Sequence, residues 1–352
     1  MRQSNLELLR ILAVIGVFVL HFYHPNGGGG ISLCESSINE LILRILESIF
    51  ISSVNIFVLI TGYFMSQSST GSITLIKPLS LIVQVVIYNL LTYLFLISIG
   101  VFEFSFGGFL YRLLPINWFV IIYVTLYCIS PILNRVTCSI SWKQYKKILI
   151  ILLFFFSIYP TAVDAMILRF NNPFNGLSSI GLMGSQEGYT IVQFCLMYLI
   201  GGYLYRYPLK LSRSKLLIFI LLCVCIICLW SYLDKPIVGA LGSTAWEYCN
   251  PFVILEAVLI FSLFSKVTFY DSIINKLAIS CFSFYLLHSM FYECLPIDRI
   301  VNANPLVMVI YILMIGVVIY FISHLVNFIY SKAMSPIFRS VQKLECFNKF
   351  SL

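Results

Sequence analysis

The sequence predicts an all-α fold, a polytopic integral membrane bundle of about ten transmembrane helices with both termini inside. Three observations carry that reading. Hydrophobic residues make up 60% of the 352 positions and charged ones 10%, with a mean hydropathy of +0.97, more apolar material than one soluble core can hide. The apolar stretches run long and unbroken instead of alternating over about ten residues, which favours helices over a β-barrel. Lysine and arginine, finally, are spread unequally between alternate loops.

Spans of about 20 apolar residues are read in order at about 6–24, 41–65, 76–99, 116–134 and 147–166. Five more follow at about 190–206, 215–233, 249–265, 276–293 and 305–331. The span at 190–206 is short, and 41–65 has room for an interfacial turn at its entry. The whole of 1–352 reads as a single membrane domain, with a short basic amphipathic tail after about residue 332. Arg10 interrupts the first apolar run and no small-residue cleavage site follows, so the first helix is expected to remain in the mature protein.

An even number of spans puts both termini on one side. With the N-terminus inside, the inner segments hold sixteen Lys and Arg, including Arg2, Lys77, Arg135, Lys143, Arg206 and Lys210, whereas the outer loops hold four: Arg112, Arg169, Lys235 and Arg299. Positive residues are retained in the cytoplasm, so the expectation is N-in and C-in, in the inner or cytoplasmic membrane. The net charge of +8 is then a matter of topology, and no nucleic-acid partner is needed to account for it. The eleven cysteines sit mostly in apolar spans, as Cys195, Cys223, Cys225 and Cys228 do, without metal-finger spacing, and no metal is expected.

The longest polar stretch, NNPFNGLSSIGLMGSQEG from Asn171 to Gly188, has the composition of irregular backbone and faces outside in this topology. Gly27–Gly30, after His24, Pro25 and Asn26, lack the lysine and helix of a phosphate-binding loop. No internal repeat is visible, and so no sign of the inverted halves of secondary transporters.

Ionisable groups in a membrane are costly, which makes each a candidate for function. The first span has three: Glu7, Arg10 and His21. Arg10 and His21 are eleven residues apart, which leaves them about 20° apart around the helix and about 16 Å apart along it. They share a face, with Arg10 near the inner edge and His21 deep towards the outside. The plain alternative is that Arg10 snorkels to headgroups and His21 bonds across helices. The functional reading makes them an anion-binding cation and a general base on one channel wall. His288, in SFYLLHSMFYE, lies at a comparable depth in the ninth span. Glu256, near the middle of the eighth, needs a partner or a proton. Asn55 can be helix glue or a substrate contact, while Arg44 and Glu47 are spaced to pair with each other.

At SNLELLRILAVIGVFVLHFYH the chain resembles the acyltransferase 3 family of membrane acyltransferases, whose first helix carries a basic residue, ten intervening residues and a histidine; Arg10 and His21 match. SVNIFVLITGYFM, with Gly62 and Tyr63, is similar to the family's second-helix segment. INWFVIIYVTLYCISPILNRV, with Trp118 and Pro131, looks like its tryptophan-bearing helix, and CFSFYLLHSMF, with Tyr285 and His288, like its late Tyr-Leu-x-His helix. The order of the segments is also the family's. The resemblance implies an enzyme without an extracytoplasmic SGNH hydrolase-like domain. Such an enzyme moves an acyl group, typically acetyl, from acyl-CoA to a sugar hydroxyl of a bacterial surface polysaccharide or its lipid-linked precursor.

On that reading Arg10, Lys77 and Arg135 hold the acetyl-CoA co-substrate. His21 acts as base or transient acyl carrier, His288 assists it, and Trp118, Asn55 and Glu256 serve the acceptor. Membrane lipids are the other partners. One departure is that ITLIKPLS offers only Lys77 where many members carry several arginines at the start of the third helix; Arg135, Lys143 and Arg206 are the compensating candidates. The competing reading is a transporter or flippase for a lipid-linked saccharide, in which the same Arg and His bind substrate without covalent change. A receptor or purely structural membrane protein is the third.

The charge asymmetry carries its own test. Reporter fusions at Gly71, Gln144 and Ser214 are expected to signal inside, and fusions near Gly28 and Ser185 outside. Reversed signals would remove the inner mouth from this scheme.

Overall fold

A computed structural model describes residues 2–24, 27–67, 72–170, 186–239, 243–343 and 350–351. Most of the polar stretch from Asn171 to Gly188 therefore lies outside the described residues. Among the described residues the regular structure is helical, apart from a two-residue antiparallel pairing of β1 (Ser72–Ile73) with β2 (Phe350–Ser351). In chain order the helices begin with α1 (Ser4–Tyr23), α2 (Gly30–Leu33), α3 (Ser37–Phe50), α4 (Ser53–Met65), α5 (Ile76–Ser98) and α6 (Phe106–Arg112). Next come α7 (Trp118–Ser139), α8 (Trp142–Leu153), α9 (Tyr159–Phe170), α10 (Ile191–Arg206) and α11 (Arg213–Val238). The series closes with α12 (Pro251–Ser265), α13 (Ser272–Leu277), α14 (Cys281–Tyr292), α15 (Ile297–Val301) and α16 (Pro305–Gln342).

Among the described residues, nine helical segments are long and apolar enough to cross a membrane. The segment expected at 190–206 is α10, whose sixteen residues fall short of that length. It is walled by other helices, with Phe194, Leu196, Met197, Tyr198 and Ile200 all buried. The span expected at 41–65 is broken at Ile51–Ser52 into α3 and α4. The last helix continues past residue 331 to Gln342.

Burial sorts the helices into a centre and a rim. The apolar window of α1 is 72% buried, against 22% for α5 and for α11, so α1 is the central post and the other two face lipid. On the rim, large side chains such as Leu306, Ile310, Met314, Phe321 and Leu325 of α16 point outward, as a lipid solvent allows. Between lipid-soluble helices, close packing and polar contacts replace hydrophobic drive. Asn5 donates to Phe264 O at 3.0 Å, and Asn134 donates to Met65 O at 2.9 Å while accepting from Tyr198 at 2.8 Å. A buried chain runs from Tyr88 and Gln84 through Ser283 and Asn327 to Ser280, which bonds His324, and ties α5, α14 and α16 together.

The two ends of the bundle differ. At one end Arg2 donates to Asn275 O, Arg206 to Thr137 O and Arg213 to Lys266 O, which gathers the loops expected inside. At the other, Lys235 and Arg44 both bind Glu40, at 2.6 Å and 3.0 Å. The pairing expected between Arg44 and Glu47 is thus corrected. Arg44, wholly buried, turns one helical turn back to Glu40, donates to Ser231 O at 3.1 Å and covers the Trp246 ring at 5.4 Å. The reason is that α11 supplies Lys235 and the Ser231 carbonyl on that side of α3.

The tightest contact is between α4 and α10. A Cβ on Gly62 would run into the Tyr198 carbonyl, and one on Gly201 into the Leu59 carbonyl, so the two backbones touch through glycine surfaces. Gly62→Val is therefore expected to destabilise by about 1–3 kcal/mol, measured as a lower Tm in detergent. An unchanged Tm would mean that the helices separate without cost.

Candidate functional site

The site is built on α1, from its N-terminal end inward. Glu7 is buried and takes Arg10 at 2.9 Å and Arg2 at 4.0 Å. That carboxylate holds two guanidinium groups at the mouth of a vestibule of about 770 Å³, whose wall also includes Lys77, Tyr123, Tyr127 and Asn134. Among the described residues, three cations and no carboxylate stand in the lining, and low-dielectric walls focus the attraction for an anion. The Lys77 ammonium lies 5.9 Å from the centre of the Tyr127 ring, which steadies it over the opening.

A second chamber of about 370 Å³ shares Arg2, Arg10, Thr61, Leu81 and Tyr123 with the vestibule. It continues inward between Val17, Val54, Phe57, Phe119, Phe282 and Tyr285. Cations at the mouth and apolar walls behind suit an amphiphile with an anionic head and a thin tail, and both volumes lie within or near the range of about 300–1,000 Å³ usual for ligand sites.

Val17 and Tyr285 mark the inner limit of the chamber, and each lies within about one helical turn of a histidine. His21 Nδ1 is 2.7 Å from His288 Nε2, with ring centres 4.8 Å apart. His288 Nδ1 lies 2.7 Å from Tyr285 O and 3.3 Å from Phe284 O. A carbonyl only accepts, so His288 Nδ1 carries the proton, and in the neutral ring Nε2 is a lone pair. His21 Nδ1 must then be the donor across the pair. His21 Nε2 is left as a lone pair, the form a general base needs. Phe284 stacks on His288 at 5.9 Å, and Tyr292 donates to Phe18 O at 2.6 Å, which fixes α14 against α1. The short 3₁₀ stretch Ala278–Ser280 between α13 and α14 sets the angle of approach.

Among the other expected residues, Lys77 lines the vestibule, whereas Arg135 is exposed and outside its lining. The Asn55 amide is already occupied by protein: it donates to Tyr248 O at 2.8 Å and accepts from Gln193 at 3.2 Å. It ties α4 to α10 and to the segment before α12. Glu256 is wholly buried, with the Ser52 hydroxyl as its polar neighbour, and is not on the chamber wall. Trp118, at the far end of α7, packs on Tyr189 and Tyr248. Among the described residues, no group of three His, Cys, Asp or Glu could hold a metal ion.

Arg2 was counted in the sequence only as a loop charge, because it precedes the helix and shares no periodicity with Arg10; the fold brings both to one carboxylate. Thr61 and Tyr123, hydrogen-bonded to each other at 3.1 Å, stand where vestibule and chamber join. They too carry no sequence signal beyond membership of apolar helices.

A family model described as an acyltransferase domain, Acyl_transf_3, matches residues 3–327. The chain belongs to the acyltransferase 3 family. The match takes in the site from Arg10 on α1 to His288 on α14 and begins one residue after Arg2. No curated protein and no solved structure is significantly similar to the chain. The protein is thus a multi-pass membrane acyltransferase.

In this acyltransferase His288 Nε2 accepts from His21 Nδ1, which leaves the lone pair of His21 on its Nε2. A glutamine side chain can place an oxygen where His288 has Nε2, whereas leucine cannot. His288→Leu is expected to lower kcat by about 10²-fold or more, and His288→Gln to recover a measurable part of it. Equal rates for the two variants in a thiol-release assay would show that the histidine bond does not set the tautomer.

Proposed function

We propose that this acyltransferase moves an acyl group, typically acetyl, from cytoplasmic acyl-CoA to a sugar hydroxyl of a bacterial surface polysaccharide or its lipid-linked precursor. The observation that carries the proposal is the joined cavity. Three cations stand at one end of the bundle, an apolar chamber lies behind them, and the histidine pair sits within a turn of its inner limit.

Acyl-CoA is anionic at its phosphates and thin along its pantetheine arm. Arg10, Arg2 and Lys77 take the phosphates, and the chamber between Val17, Phe57, Phe119 and Tyr285 takes the arm and the thioester. The acceptor hydroxyl gives its proton to His21 Nε2 as its oxygen bonds to the thioester carbon. The tetrahedral intermediate collapses with cleavage of the C–S bond, and the imidazolium returns the proton to the departing sulfur. Ester and free thiol are the products, and no proton or electron is left over. A transient acyl group on His21 Nε2 is the two-step form of the same reaction.

The basic end, with its positive loops, is the cytoplasmic one on this reading, so donor and acceptor meet from opposite sides of the membrane. The single membrane domain carries the whole reaction in the inner membrane.

The test uses full-length protein in detergent with acetyl-CoA. Arg10→Ala is expected to weaken acetyl-CoA binding by about tenfold or more, and Arg10→Lys to retain part of it, because charge persists while the bidentate geometry is lost. His21→Gln is expected to abolish transfer while donor binding survives, since an amide imitates a hydrogen bond but takes no proton. Unchanged donor affinity in Arg10→Ala, or near wild-type transfer by His21→Gln, would overturn the assignment.

A further inference from the structure

The aromatic residues at the end of the bundle away from Arg10 have no part in the donor cavity. Trp118 opens α7, while Asn134 of the same helix lines the vestibule, so the tryptophan stands at the opposite end. Its ring lies 4.4 Å from Tyr189 and 6.2 Å from Tyr248, nearly parallel to the latter at 21°. Trp118 and Tyr189 remain 36% and 37% exposed, whereas Tyr248 is buried beneath them.

This cluster is continuous with the reacting groups. Trp118 meets Phe119 at 5.9 Å, Phe119 meets Tyr285 at 5.1 Å, and Tyr285 meets His288 at 5.9 Å, which in turn touches His21. Tyr285 also donates to Asn117 Oδ1 at 3.0 Å, and the same atom caps α7 by accepting from Val120 N at 3.1 Å. The residue that caps α7, next to Trp118, is therefore tied by a hydrogen bond to the helix that carries His288.

Tyr189 is placed by an unusual turn. Glu187 has a φ of 56° and Gly188 a φ of 87°, a left-handed pair that is strained for the glutamate. Glu187 O accepts from Tyr248 N at 2.8 Å, and a Cβ on Gly188 would come within 2.6 Å of Cys249 N. The turn is docked on the segment before α12, and Tyr189 follows it directly onto Trp118. The Glu187 carboxylate is exposed and close enough to His24 to oppose the downward pull of burial on that imidazole.

Aromatic residues of a membrane-interface belt are placed by headgroup level alone and need no contact with one another. Here the rings pack on one another, one of them comes from a loop, and they lead inward to the histidines. Two exposed rings over a buried third, beside a carboxylate and an imidazole, match a pyranose ring, which offers a C–H face to aromatic rings and hydroxyls to polar neighbours. We propose that Trp118 and Tyr189 are the docking platform for the acceptor glycan, with Glu187 and His24 as its hydrogen-bonding rim. The platform orients one sugar so that a neighbouring hydroxyl reaches His21 Nε2. The assignment rests on the sugar-acylation reading above and deepens it: the acceptor is recognised as a saccharide and not through a lipid tail.

Two measurements on full-length protein in detergent separate the claims. The first is retention of polysaccharide, released free of lipid from envelopes of the producing cells, by immobilised protein without donor. The second is transfer from labelled acetyl-CoA to the same polysaccharide. Tyr189→Ala and Trp118→Ala are expected to weaken retention and raise the acceptor KM by about tenfold, with the acetyl-CoA KM unchanged; Trp118→Phe is expected to stay within about threefold of wild type. Absence of retention by the wild type, or retention and acceptor KM unaltered in both alanine variants, overturns the platform. Retention that depends on both rings without any transfer by the wild type keeps the platform and overturns the reaction.

Discussion

A charge inside lipid must be matched, and α1 carries its charges where the matching shapes everything around them. Glu7 is buried at the entry of the helix and holds Arg10 and Arg2. Leaving the buried Glu7 carboxylate without its cations would cost several kcal/mol. The carboxylate neutralises one cation while Lys77 joins from α5, so the mouth stays net positive and wide enough for a ligand of substantial size. A vestibule of about 770 Å³ in a bundle otherwise close-packed by glycine contacts and interhelical hydrogen bonds is the structural consequence.

The rest of the fold keeps α1 still. Its central position, the bond from Tyr292 to Phe18 O and the polar chain that ties α14 to α5 and α16 leave the histidines little freedom. That rigidity matters because the tautomer of His21 depends on two short contacts in series, Tyr285 O to His288 and His288 to His21. A loosened α14 would let the proton settle on either nitrogen of His21.

On the proposed reading the acyltransferase separates its substrates by geometry. Cations and a deep apolar chamber occupy one end of the bundle, and an aromatic cluster the other, with the histidine pair between them. On the proposed reading the enzyme needs no large motion to bring the acyl group past the bilayer's midplane, because the donor's own arm spans the chamber. On the same reading the acceptor stays at the far surface, where its hydroxyls remain hydrated until one meets His21.

Composition and the length of the apolar runs fixed the fold class, since a bilayer admits few backbones. The 3.6-residue period put Arg10 and His21 on one face, since both lie on a single helix. The resemblance carried by the segments around His21, Gly62, Trp118 and His288 pointed to the acyltransferase 3 family. The partners were beyond reach. His21 and His288 are separated by 267 residues, Arg44 chose Glu40 over Glu47 because of what α11 presents, and the Asn55 amide was consumed by Gln193 and the Tyr248 carbonyl. Glu256 ended off the chamber wall, and Arg2 entered the site from outside any helix. Periodicity is a local property, so the sequence by itself decides which side chains share a face. Which face meets which is settled by packing among helices far apart in the chain, and only the tertiary structure decided that.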